Sequence, residues 1–160
     1  MGRLSKDKLK EIMRIQPDAP FPKKVSSKDI DARAEVRIDR ETGEKEILYT
    51  SVAGPEDIYH ELGHYRLGHF SDILEDKGVS TGTLREHVDR EIAAWLFVEK
   101  TRGRVKTDFL FRITWDLVSN LGVAPSKAVS LVERALHKRG FRIKDRKNLT
   151  SLLIELKELE

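Results

Sequence analysis

The five residues His60-Glu61-Leu62-Gly63-His64 constrain the fold most, because the helix that must carry them is apolar on two sides. Gly54-Pro55-Glu56-Asp57 opens that helix: proline suits the first helical position, and acids suit the first turn beside the positive end of the dipole. The helix runs to about Leu67, with Gly68 as its stop. At about 100° per residue, His60, His64 and Leu67 share one face, and Ile58, Leu62 and Tyr65 another. A helix apolar on two sides belongs inside a domain. Two histidines buried there need a partner for their ring nitrogens.

A metal ion is the economical partner. His60 and His64 project only about 40° apart around the axis, so both imidazoles reach one ion. Glu61 projects about 100° from His60, beside the ion, where a general base takes a proton from water. Random placement of this motif in such a chain gives on the order of 0.01 matches. The alternative is a pair of surface histidines, which the two apolar faces disfavour. The chain has no cysteine, so a disulfide framework, a thiol nucleophile, a cysteine zinc finger and an iron–sulfur site are all excluded. Zinc held by histidine and carboxylate is the expectation.

A catalytic zinc takes three protein ligands and leaves one position open. The third ligand must come from another element. On a helix expected over about Leu84–Lys100, Val88, Ile92, Trp95 and Leu84 define the inward face. Glu91 falls between Leu84 and Val98, so it is the acid most clearly turned inward in mid-helix, and a buried carboxylate needs a cation. An ion pair with a nearby arginine is the other way to satisfy it. Glu99 is also close to the inward face, but at the helix end. His87, one turn before Glu91, lies on a flanking face and is a candidate outer-shell donor or transition-state stabiliser. His69 would lie about 180° from His60 if the helix continued, so it is set aside as a ligand. It is also one residue short of the third histidine of the longer three-histidine motif. His137 falls on a basic helix and reads as surface.

Around this core, Ser5–Ile15 reads as a first helix. Pro17, Pro20 and Pro22 then impose an irregular stretch. Arg33–Asp39 and Glu44–Ser51 read as two strands joined by a turn at Arg40–Gly43, a β-hairpin. A loop follows Gly68 to about Gly82. Helices are expected over about Thr107–Asn120, from Pro125 to Gly140, and over Asn148–Leu159. The class is α+β. Residues 1–105 form the expected metal-binding core, and 106–160 a helical extension packed on it as one compact unit.

His60-Glu61-Leu62-Gly63-His64-Tyr65-Arg66-Leu67-Gly68-His69 resembles the core of the ImmA/IrrE-type metallopeptidases. Glu91-Ile92-Ala93-Ala94-Trp95-Leu96-Phe97-Val98 is similar to their next signature, with Trp95 where asparagine is usual and Val98 where alanine is usual. The Leu-Met-Pro segment that often follows is absent. Leu121–Val129 resembles the helical segment those proteins carry after the site. The resemblance spans about Leu48 to Phe141. It implies a minimal zincin-like fold, zinc on His60, His64 and Glu91, and Glu61 as base. It further implies cleavage of a peptide bond in a specific protein, often a transcriptional repressor encoded nearby on a mobile element. A substrate strand is expected to add to the hairpin edge near Glu46–Ser51 by main-chain pairing.

Charge points to rival readings without demanding them. Charged residues make up 36% of the chain, yet the net charge is only +3. Such mixed charge without cysteine fits a thermophile. Lys127, Arg134, Lys138 and Arg139, followed by Lys144, Arg146 and Lys147, open the possibility of a DNA- or protein-binding module. Glu133 interrupts that basic face. A non-catalytic metal-binding scaffold is the other rival. No apolar run approaches the roughly 20 residues of a membrane span. No apolar signal core follows Met1, so a cytoplasmic protein is the expectation.

Overall fold

The computed structural model describes residues 4–30, 32–70, 74, 77–103 and 109–159. Among them the chain is α+β, with six helices and one small mixed sheet. Helix α1 covers Lys6–Met13, with the Ser5 hydroxyl accepting from the Lys8 amide as its cap. A two-residue strand β1, Lys23–Lys24, follows the prolines. Strands β2 (Ala34–Ile38) and β3 (Lys45–Tyr49) form the expected antiparallel hairpin, in register from Ala34 opposite Tyr49 to Ile38 opposite Lys45. Its turn closes through Asp39, whose carboxylate accepts from the amides of Glu41 and Thr42.

The strand order β1-β3-β2 changes one expectation. The edge of β3 near Glu46–Ser51 is not open. Lys23 and Lys24 pair with Leu48 and Tyr49 there in parallel, and the Val25 amide donates to the Tyr49 carbonyl at 2.8 Å. Two exposed lysines after the prolines give no periodicity from which a strand could be read. The sheet is therefore mixed, and β2 forms its other edge.

Helix α2 covers Pro55–Leu67, with proline at its start and Gly68 left-handed at φ 77° as its stop. Helix α3 covers Thr81–Thr101 and starts three residues before the expected Leu84. Ser80 and Thr83 cap it reciprocally: each hydroxyl accepts from the other's amide, at 2.8 and 3.2 Å. That pairing outweighs the poor helix propensity of Thr81-Gly82-Thr83. Helices α4 (Phe109–Ser119), α5 (Pro125–His137) and α6 (Arg146–Glu158) follow. The expected start of the fourth helix at Thr107, the 105/106 boundary and parts of the loop after Phe70 lie outside the described residues. No helix among the described residues is long and apolar enough to cross a membrane.

The chain divides into two compact units, 1–72 with 93–104, and 73–92 with 105–160. The first builds its core from Leu9 and Ile12 of α1, Val36 and Ile47 of the hairpin, Ile58 and Leu62 of α2, and Val98 of α3. The second packs α4, α5 and α6 against one another through buried Leu117, Val129, Val132, Leu136 and Leu153. The division falls inside α3, one continuous helix.

Several charges of the second unit are paired within it. Asp89 accepts from Arg139 at 2.6 Å and lies 3.5 Å from Lys138. Glu133 pairs with Arg146 at 2.9 Å, so the acid that interrupts the basic face of α5 is bound to a base of α6. The Arg139 hydrogen bond holds the Asp89 carboxyl below its ordinary 3.8, with the charges of Arg139 and Lys138 adding to it. A carboxyl depressed by folding stabilises above its unfolded value and loses that contribution as pH falls through its folded one. With about a third of the side chain in water, the contribution is at most about 1 kcal/mol. Urea unfolding should show Asp89→Asn less stable than wild type by up to that amount at neutral pH. The gap should close below pH 3.8; a gap that persists there would remove the ion pairs as its cause.

Candidate metal centre

Helices α2 and the C-terminal half of α3 run antiparallel within the first unit and are fixed to each other at three levels. At one end Arg102 pairs with Glu56 and lies 4.5 Å over the Tyr59 ring. At the other, Gly63 meets the backbone of Ala94: a Cβ on Gly63 would stand 2.6 Å from the Ala94 carbonyl oxygen. No real side-chain carbon approaches an oxygen so closely, so only glycine permits this crossing. Between these levels the Trp95 indole stacks on the His60 imidazole, centroids 4.3 Å apart and planes 20° from parallel. Trp95 is buried, so the stack shields one face of a half-buried ring.

Glu91 stands one turn before Trp95 on the same helix. The contacts that put Trp95 on His60 thereby carry Glu91 toward His64, one turn further along α2. His60, His64 and Glu91 each offer a ligand atom, all within 4.8 Å of one another. His64 is buried, while His60 and Glu91 are half-buried. This group can hold a metal ion. Among the described residues it includes neither His69 nor His87 nor Glu99.

The donor atoms fit a divalent transition metal. The Nε2 atoms of His60 and His64 are 3.1 Å apart. Two nitrogens bound to one zinc at about 2.0–2.1 Å and a tetrahedral angle would lie about 3.4 Å apart, so a shift of a few tenths of an ångström suffices. Two imidazoles and one carboxylate suit zinc and its first-row neighbours, whereas calcium and magnesium take oxygen ligands.

Glu61 follows His60 and reaches the hairpin. It is buried, and its Oε2 accepts from the Val36 amide of β2 at 2.9 Å. Arg33 and Asp39 bond to Thr50 and Glu44 of the facing segment, so the alternate residues Ala34, Val36 and Ile38 direct their amides to the outer edge of β2. Glu61 thus ties α2 to the edge strand.

His87 is half-buried, one turn before Glu91. His137 is exposed, as expected for a surface position. Glu99 is buried two turns beyond Glu91. His69 has a place that helical projection misses. Its Nδ1 lies 3.0 Å from the Nδ1 of His64, on the side of that ring opposite Nε2. The overlooked signal is Gly68, which reverses the chain after α2, so positions beyond it no longer follow the helical angle.

Protein-family models, curated proteins and solved structures give no match to this chain.

The Gly63–Ala94 approach yields a direct check. Gly63→Ala must push α3 away from α2, at a cost of about 1–3 kcal/mol for an overpacked core. Thermal melting should fall by several degrees. Unchanged melting would mean that the helices do not depend on that contact.

Proposed function

We propose that this protein is a zinc-dependent metallopeptidase that hydrolyses a peptide bond in a specific protein substrate. The observation that carries the reading is the convergence of His60, His64 and Glu91, from two helices, to within 4.8 Å of one another, with buried Glu61 adjacent. His60 and His64 would hold zinc through Nε2, and Glu91 through its carboxylate. Bound zinc supplies a Lewis acid that lowers the pKa of water and polarises a carbonyl.

The chain's own residues do the rest. Glu61 is the general base: it takes a proton from the attacking water and returns it to the departing amine. The Val36 amide holds one oxygen of that carboxylate, which fixes its orientation before substrate arrives. Trp95 keeps the His60 ring in plane and dry on one face. On the outer edge of β2, the Ala34 and Ile38 amides on either side of the Val36 amide that Glu61 holds are the place for an extended substrate segment to pair through main-chain bonds. The β3 edge near Glu46–Ser51 is already taken by β1. The resemblance of residues 60–69 and 91–98 to the ImmA/IrrE-type signatures supports a transcriptional repressor as substrate.

Metal content is the first test. Purified wild type should carry about one zinc per chain by mass spectrometry, as one three-ligand site requires. His64→Ala and Glu91→Ala should each lose it. Zinc retained in Glu91→Ala would keep the two histidines and dismiss Glu91. Glu61→Gln should keep zinc while cleavage of the repressor substrate falls by a factor of about 100 or more; undiminished cleavage would exclude Glu61 as base.

The docking edge has its own test. Ile38→Pro deletes an amide on the outer edge and leaves the hairpin bonds in place. It should retain zinc and lose most cleavage, appearing as a raised KM. An unchanged KM would place the substrate elsewhere.

A further inference from the structure

The end of α2 is a Schellman motif. The Gly68 amide donates to the Tyr65 carbonyl at 3.2 Å, and the His69 amide to the His64 carbonyl at 2.9 Å. Gly68 is left-handed at φ 77°, the conformation this closure requires. The motif brings the side chain of the residue after the glycine back onto the side chain five positions earlier, usually as an apolar contact. Here both positions are histidine. The rings of His64 and His69 lie 5.3 Å apart, with their Nδ1 atoms 3.0 Å apart.

A neutral imidazole has one N–H donor and one acceptor nitrogen. If His64 gives its Nε2 lone pair to a cation, its proton sits on Nδ1 and needs an acceptor. The atom facing it is His69 Nδ1, which accepts when the His69 proton sits on Nε2. We propose that His69 is a positioning residue for His64: it accepts the Nδ1 hydrogen, fixes the tautomer, and aims the Nε2 lone pair at the metal. The proposal rests on the reading of His60, His64 and Glu91 as a metal centre. It also explains why Leu67-Gly68-His69 stands where it does. The glycine that ends the helix folds an outer-shell acceptor behind the ligand. A carboxylate or a backbone carbonyl commonly takes that place. An imidazole there brings no charge of its own in its neutral form.

The test is zinc affinity, measured by competition with a chromophoric chelator on the full chain. Wild type, His69→Ala, His69→Phe, His69→Asn and His64→Ala are compared, with circular-dichroism melting alongside. His69→Phe keeps the ring contact and removes the acceptor. His69→Asn restores an acceptor oxygen. His69→Ala and His69→Phe should bind zinc about 10–100-fold more weakly than wild type, and His69→Asn should recover most of the loss. Nitrogen-15 histidine spectra of the zinc-loaded wild type should show His64 protonated on Nδ1 and His69 on Nε2.

Wild-type affinity in His69→Phe would reduce the contact to packing and overturn the inference alone. A zinc-loaded spectrum with His64 protonated on Nε2 would do the same. If wild type binds no zinc, or His64→Ala binds it equally well, the metal-centre reading falls and the inference falls with it.

Discussion

The approach of Gly63 to the Ala94 backbone is the contact on which the rest of the site depends. A missing Cβ lets α2 and α3 come closer than two side-chain-bearing helices can, since an added carbon would stand 2.6 Å from a carbonyl oxygen. That single approach sets how far Glu91 stands from His60 and His64. Trp95 on His60 and Arg102 on Glu56 and Tyr59 then fix the rotation of one helix against the other. Glycine inside a helix costs about 1 kcal/mol against alanine. Here that cost accompanies a crossing that no other residue allows.

The site combines three different kinds of restraint, each from elementary chemistry. The two histidines share a helix face because four residues make slightly more than one turn. Glu61 is held by a strand amide, a contact between residues 25 apart in the chain. His64 is backed by His69 through the geometry of a helix terminus. The His60 and His64 rings and the Glu61 carboxylate are thus each anchored by contacts of the protein's own. Such preorganisation limits the reorganisation that binding demands.

Much of this is legible along the chain, and the parts that are not share a cause. The hairpin, the limits of α2 and the inward turn of Glu91 follow from periodicity and from Pro55 and Gly68, all of which act locally. Strand β1 is not legible, because Lys23 and Lys24 are exposed and carry no alternation; only the neighbouring Leu48 and Tyr49 make them a strand. The start of α3 reads late, because a Ser80–Thr83 capping pair looks like loop composition until it closes. His69 projects onto a helix that no longer exists at that position. Helical angles hold only up to the left-handed residue, and beyond it the terminus motif decides what meets what.

The sequence by itself determined that His60 and His64 share a helix face with Glu61 beside them, the absence of any thiol chemistry and the α+β order of elements. These depend on residue types and on spacings within one turn of helix or one hairpin. Tertiary structure alone decided which strands form the edges of the sheet, that Trp95 covers His60, that Val36 holds Glu61, and how closely Glu91 approaches the two histidines. The physical reason is range. Backbone dihedrals and side-chain periodicity act over a few residues, whereas a metal site needs atoms from distant segments within a few ångströms, and only the packing of α2 against α3 and β2 supplies that.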